Sequence, residues 1–129
     1  MKAVVVDSNA LIDLFDGDQE VAAVISSAEK VWIPAVVLGE VRLGMADTHR
    51  GRAARQALDD LLNESYVDVL GVTEETADFF VTVMRYLKGQ GTPIPTNDVW
   101  IAAGVLETGA VLLSRDRHFS NIPMIRQVC

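Results

Sequence analysis

The sequence predicts an α/β fold, with a central, mainly parallel sheet covered by helices in one domain spanning residues 1–129. Three observations carry this. The runs Ala3-Val4-Val5-Val6 and Ala110-Val111-Leu112-Leu113 are short and continuously apolar, as strands covered on both faces are. Stretches of helical spacing alternate with strand-like ones along the whole chain. Finally, 129 residues, half of them hydrophobic, suffice for one core.

The elements follow in order. Residues 2–6 read as a buried strand. Ser8 and Asn9 can cap a short helix that runs to about Phe15 and ends at Gly17. Asp18 caps a second helix with Val21, Val24, Ile25 and Ala28 on one face. Val31-Trp32-Ile33 is a short strand, and Pro34 suits the first position of a helix reaching about Ala46. Asp47 caps a fourth helix striped by Ala54, Leu58, Leu61 and Leu62. Tyr66 to Leu70 is a strand.

Thr73 caps a fifth helix, with Glu74 and Glu75 where the helix dipole favours acids. Its expected buried stripe is Ala77, Phe80, Val81, Met84 and Leu87, and Lys88, Gly89 and Gly91 close it. Gly91 to Pro95 form a stiff loop. A sixth, largely apolar helix spans about Asn97 to Glu107 and stops at Gly109. Residues 110–114 are a strand, and a short edge strand lies within 122–128.

Composition narrows the function. The longest apolar run, Val99 to Leu106, is far too short for a bilayer span, and the N-terminus lacks a signal-peptide pattern. Cys129 is the only cysteine, so no intramolecular disulfide forms, and a cytoplasmic location is expected. The net charge of −7 argues against nucleic acid if taken alone. Its distribution softens that. Arg42, Arg50, Arg52 and Arg55 cluster around His49, and Arg115, Arg117 and His118 crowd Asp116. The first cluster reads equally well as a solvated helix face or as a phosphate-binding patch. The two histidines have no Cys or His partner at ligand spacing, which argues against zinc. No nucleotide-cradling glycine motif is present.

Four carboxylates stand out. Asp7 and Asp116 follow the two most apolar strands, and ligands of open parallel sheets bind beyond the carboxyl ends of the strands. Because Ser8 and Asn9 already offer capping groups, Asp7 reads as spare. Glu40 shares its helix face with Val36, Val37, Leu43 and Gly44, and so is expected to lie along the apolar stripe and look inward into a cavity. Asp98 opens the most apolar helix, whose start should lie deep in the fold. Asp13 lies close enough in sequence to reach the same rim. Two carboxylates about 4 Å apart repel by roughly 4 kcal/mol at an effective dielectric near 20. A convergence of four calls for a cation, and a divalent metal is the usual one.

Four stretches together resemble the PIN-domain ribonucleases, and most closely the VapC-like toxins of toxin–antitoxin pairs. They are Val4-Val5-Val6-Asp7-Ser8-Asn9, Gly39-Glu40-Val41-Arg42-Leu43-Gly44, Asn97-Asp98-Val99-Trp100-Ile101-Ala102-Ala103 and Leu113-Ser114-Arg115-Asp116-Arg117-His118-Phe119. The resemblance covers essentially the whole chain. It implies a compact α/β/α fold and a Mg²⁺ or Mn²⁺ site built by Asp7, Glu40, Asp98 and Asp116. It also implies polar groups beside them at Asn9 and Ser114, endonucleolytic cleavage of RNA, a homodimer and a cognate antitoxin. Ser114 stands where threonine is more usual and keeps the hydroxyl. Arg115, next to it, is expected to help hold substrate, with other nearby arginines on the RNA backbone.

Two alternatives stay open. One is a metal-dependent phosphohydrolase acting on a small phosphate ester. The haloacid-dehalogenase class places a second aspartate two positions after the first, where this chain has Asn9. The other is a non-catalytic partner-binding domain in which the acids are only structural.

Overall fold

Valine at positions 4, 5 and 6 sets the centre of the molecule: all three side chains are fully buried, in the middle strand of a five-stranded sheet. The computed structural model describes residues 2–46 and 51–129. The strands are β1 (Ala3–Val6), β2 (Lys30–Pro34), β3 (Val67–Leu70), β4 (Val111–Leu113) and β5 (Gln127–Val128). Their order is β3-β2-β1-β4-β5, and every pairing is parallel. The continuous apolar runs thus belong to the two adjacent central strands, β1 and β4, as burial on both faces requires.

The helices are α1 (Ser8–Phe15), α2 (Gln19–Ser27), α3 (Ala35–Met45), α4 (Gly51–Leu62), α5 (Glu74–Gln90) and α6 (Thr96–Thr108). The chain steps from β1 to β2 and on to β3, then crosses back through α5 and α6 to β4 on the other side of β1. Right-handed crossovers running in opposite directions put helices on both faces. They also open a crevice between β1 and β4, where the strand order reverses. None of the helices among the described residues is long and apolar enough to cross a membrane.

Most elements lie where the sequence puts them, and the departures have local causes. Asp7, not Ser8 or Asn9, caps α1: its side chain accepts from the Ala10 N–H, so both following residues are already helical. Pro34 ends β2 and serves as the N-cap of α3, one position earlier than expected. Asp47, the expected cap of α4, lies outside the described residues, as do His49 and Arg50. On α5 the buried positions are Thr76, Val83 and Leu87, whereas Val81 is 51% exposed. Thr76 is buried because it closes a capping box with Thr73 and donates to Glu107 of α6 at 2.6 Å. Phe80 stacks on Trp100 at 4.0 Å between ring centres, joining α5 to α6. After β4 a short 3-10 helix, Arg117–Asn121, is anchored by the buried Phe119; the sequence reading left this segment without an element.

Candidate active site

The crevice between β1 and β4 is a polar cleft of about 460 Å³. It is lined by Asp7, Ser8 and Asn9 from the β1–α1 junction, Glu40 from α3, Thr96 to Asp98 from the start of α6, and Asp116 and His118 after β4. All four expected carboxylates therefore meet there, although they come from four separate stretches of chain.

Each acid is held by its own element. Asp7 is 4% exposed and sits at the end of β1, where its N–H donates to the Leu113 carbonyl at 3.3 Å. One carboxylate oxygen takes the Ala10 N–H at 2.9 Å, and the other takes the Ser114 hydroxyl in a short hydrogen bond. Ser114 is itself fully buried, and its oxygen accepts from the Asp116 N–H at 3.0 Å. Asp116 caps the 3-10 helix by accepting from the His118 N–H at 2.9 Å. Gln127 of β5 braces this loop, donating to the carbonyls of Ser114 (2.8 Å) and Asp116 (3.0 Å). At the third position of α6, Asp98 is half-buried, because the apolar helix behind it packs into the core.

Electrostatics tie the acids together. Burial pushes the Asp7 carboxyl above the usual range, against the lowering effect of its two hydrogen bonds, and repulsion from Asp116 and Asp98 adds to the rise. Asp98 is raised for the same first reason, with Asp116 and Glu40 repelling it and His118 opposing. No Lys or Arg lines the cleft among the described residues. The negative charge there is not matched by a side chain of fixed positive charge.

Three expectations need correction. Glu40 faces the cleft but not the buried stripe: that stripe is Val37, Val41 and Met45, four residues apart, and Leu43 beside them is 78% exposed. Glu40 is exposed, and its carboxylate accepts from the Ser8 hydroxyl at 2.8 Å. Asp13 does not reach the rim. Arg115 does not face substrate either. Its guanidinium donates to Asp18 at 2.7 Å and Asp13 at 3.2 Å, which holds it on the α1–α2 side of the fold. This pairing lowers the Asp18 carboxyl to about 2, the Val21 N–H adding to the effect, and raises Arg115 well above its ordinary value.

Of the other arginines, Arg55 donates to the Met45 carbonyl at 3.0 Å, while Arg42 and Arg52 are exposed on α3 and α4, outside the cleft. His118, which the sequence does not single out as a site residue, lies in the cleft. Its Nδ1 lies 3.0 Å from Asp98 Oδ2 and 3.2 Å from Asp116 Oδ1. The Asp116-Arg117-His118 spacing carried that signal, because a residue two positions after a capping aspartate stays within its reach.

The fold and the cleft define a class: a parallel α/β domain that gathers acidic side chains in the crevice where its strand order reverses. More narrowly, this chain belongs to the PIN domain family, whose model matches residues 4–124. It is 26% identical over 96 residues to Ribonuclease VapC4 of Mycobacterium tuberculosis, covering 74% of each chain. VapBC-5 of Mycobacterium tuberculosis, a member of the VapBC family of toxin–antitoxin systems, superposes with a TM-score of 0.74 at 26% identity, over 98% of each chain. VapBC2 of Rickettsia felis, solved on a promoter DNA fragment, gives 0.84 at 17% identity, over 98% of this chain and 97% of that one. The resemblance to VapC-like PIN proteins and the α/β fold expected from the sequence are both borne out.

PIN nucleases in general use divalent metal, and the donor set here fits such an ion. Asp98, Asp116 and His118 each offer one ligand atom, and these atoms lie within 4.8 Å of one another. A cation among them would offset both the burial that chiefly raises Asp7 and Asp98 and the repulsion that adds to it.

Proposed function

We propose that this protein is a divalent-metal-dependent endoribonuclease, the toxin component of a toxin–antitoxin pair. The observation that carries the reading is the convergence of Asp7, Glu40, Asp98 and Asp116 on one cleft of a PIN-family chain. The proposed ion is Mg²⁺ or Mn²⁺, and Asp98, Asp116, Asp7 and Glu40 are the carboxylates that would hold it. When bound, the ion supplies Lewis-acid polarisation of a phosphate oxygen and a more acidic water.

The chain's own groups do the rest. The Ser114 hydroxyl and the Ala10 N–H hold the Asp7 carboxylate in one orientation. Ser8 does the same for Glu40, which stands at the exposed side of the cleft within reach of an attacking water. Asn9 and Asn97 line the cleft, where side-chain amides can donate to phosphate oxygens. The half-buried rim excludes part of the solvent, so these interactions act at lower dielectric than in water.

The partners belong to the same reading: RNA as substrate, a second copy of the chain, and a cognate antitoxin, in the cytoplasm. An apolar groove of about 520 Å³ lined by Ile12, Phe15, Val41, Met45, Ala54 and Ala57 supports a protein partner. A small-phosphate-ester hydrolase is the competing reading, and the open cleft, with Glu40 exposed at its edge, favours a polymeric substrate over it.

The test is purified protein on total RNA with Mg²⁺, with Mn²⁺ and with EDTA, alongside p-nitrophenyl phosphate. The proposal expects discrete RNA fragments only with metal and no turnover of the ester. Equal cleavage in EDTA, or ester hydrolysis without RNA cleavage, contradicts it.

A further inference from the structure

The cleft contains one nitrogen donor among its oxygens, and the fold holds it in place. His118 sits on the 3-10 helix, whose first turn is tied to Asp116 by the His118 N–H and whose middle is pinned by Phe119, 1% exposed. The backbone on either side of the His118 side chain is therefore held, by the cap before it and the buried ring after it. The ring places Nδ1 3.0 Å from an oxygen of Asp98 and 3.2 Å from an oxygen of Asp116. Ligands at right angles on an ion with bonds near 2.1 Å stand about 3 Å apart. Both carboxylate oxygens therefore stand from Nδ1 at the spacing of neighbouring ligands on one small divalent ion, and all three atoms lie within 4.8 Å of one another.

We infer that His118 is an imidazole ligand in this metal site and biases the protein towards transition-metal ions, Mn²⁺ and Co²⁺, over Mg²⁺. The inference rests on the metal-dependent reading above and assigns the site a selectivity that four carboxylates alone do not give. Mg²⁺ is hard, prefers oxygen and dehydrates reluctantly. First-row transition ions accept imidazole readily, and their affinity for mixed nitrogen and oxygen sites rises from Mn²⁺ through Co²⁺. Replacing one oxygen ligand by nitrogen penalises Mg²⁺ selectively. Because His118 is 49% exposed at the side chain, it meets an incoming ion at the mouth of the cleft, and no core rearrangement is needed.

The decisive experiment reads binding, not turnover. Affinities for Mg²⁺, Mn²⁺ and Co²⁺ are measured by calorimetry on wild-type protein, His118→Ala and His118→Gln, in a buffer without nitrogen donors. Pulsed EPR of the Mn²⁺ form is recorded for ¹⁴N coupling. The chain has only two histidines, so His49→Ala serves as the control.

The inference expects wild-type protein to prefer Mn²⁺ to Mg²⁺ by at least tenfold and to show imidazole ¹⁴N coupling. His118→Ala and His118→Gln should lose the coupling and weaken Mn²⁺ and Co²⁺ binding tenfold or more, with Mg²⁺ binding within about twofold of wild type. His49→Ala should retain both properties. Equal loss for all three ions, or ¹⁴N coupling that survives in His118→Ala, overturns the inference and leaves the nuclease reading standing. Failure of wild-type protein to bind any of the three ions overturns both.

Discussion

The Ser114 hydroxyl donates to the Asp7 carboxylate across 107 positions of sequence, in a place where both side chains are buried. This bond joins the ends of β1 and β4, the two strands that flank the switch point. It also makes Asp7 two things at once. One oxygen caps α1, and the other is fixed by Ser114 at the floor of the cleft. Asp116 repeats the arrangement as the cap of the 3-10 helix. Capping and site-building are not alternatives here, because a cap is what sets the direction of the carboxylate.

Ser114→Ala leaves one buried oxygen of Asp7 and the Asp116 N–H without a partner. The cost is about 1–3 kcal/mol of folding stability. RNA cleavage should drop roughly 10–100-fold, as is typical when a group orienting a metal-binding carboxylate is lost. Denaturant melts paired with cleavage rates check both. An unchanged rate would show that Asp7 needs no such support.

Asp7→Asn keeps the shape and the acceptor for the Ala10 N–H, reverses the bond to Ser114 so that the amide donates to its oxygen, and removes a buried charge repelled by Asp116 and Asp98. The metal-free variant should melt roughly 2–6 °C higher than wild type, corresponding to about 1 kcal/mol in a chain of this size. Differential scanning calorimetry in EDTA measures this. A lower melting temperature would mean that the charge stabilises the apo fold.

Asp18 pairs with Arg115 and carries a carboxyl lowered to about 2. A carboxyl depressed in the fold binds protons less readily there than in the unfolded chain, so its contribution is present above the ordinary carboxylate pKa and is lost as pH falls through about 2. Asp18→Asn keeps a competent cap on α2 and removes only the charge. The variant should melt below wild type at neutral pH. The gap should begin to narrow below the ordinary carboxylate range and close near pH 2. Thermal melts across that range show it directly, and a gap independent of pH would exclude the ion pair as its source.

Thr76→Val removes the hydroxyl shared by the Thr73 capping box and Glu107. The expected loss is about 1–2 kcal/mol. Amide exchange should quicken first in the opening turn of α5. Protection unchanged in that turn would assign the loss to packing alone.

The sequence made the sheet legible because β1 and β4 are buried on both faces and so read as unbroken apolar runs. It made the rim legible because Asp7 and Asp116 both follow those runs. What it hid depends on contacts between distant segments. The inward face of α3 is decided by which neighbours cover it, so helical phase alone misjudged Glu40, which stands one position short of the buried Val41. Val81 and Val83 on α5 are equally apolar in the sequence, and only packing exposes the first and buries the second. Arg115 looked like a substrate contact because it adjoins Ser114 and Asp116, yet successive residues leaving a strand point to opposite sides. The place of His118 was hidden because ligand spacing points to histidine or cysteine neighbours, whereas the groups that meet its ring are Asp98 and Asp116.

The central claim is that these carboxylates hold a divalent ion for RNA cleavage. The most direct measurement is cleavage of a defined RNA by wild-type and Asp7→Asn protein, each confirmed folded by its melt, in Mg²⁺, in Mn²⁺ and in EDTA. The account predicts metal-dependent cutting by wild-type protein and a loss of at least 100-fold in the folded variant. Cleavage by Asp7→Asn at the wild-type rate, or cleavage that persists undiminished in EDTA, would contradict it.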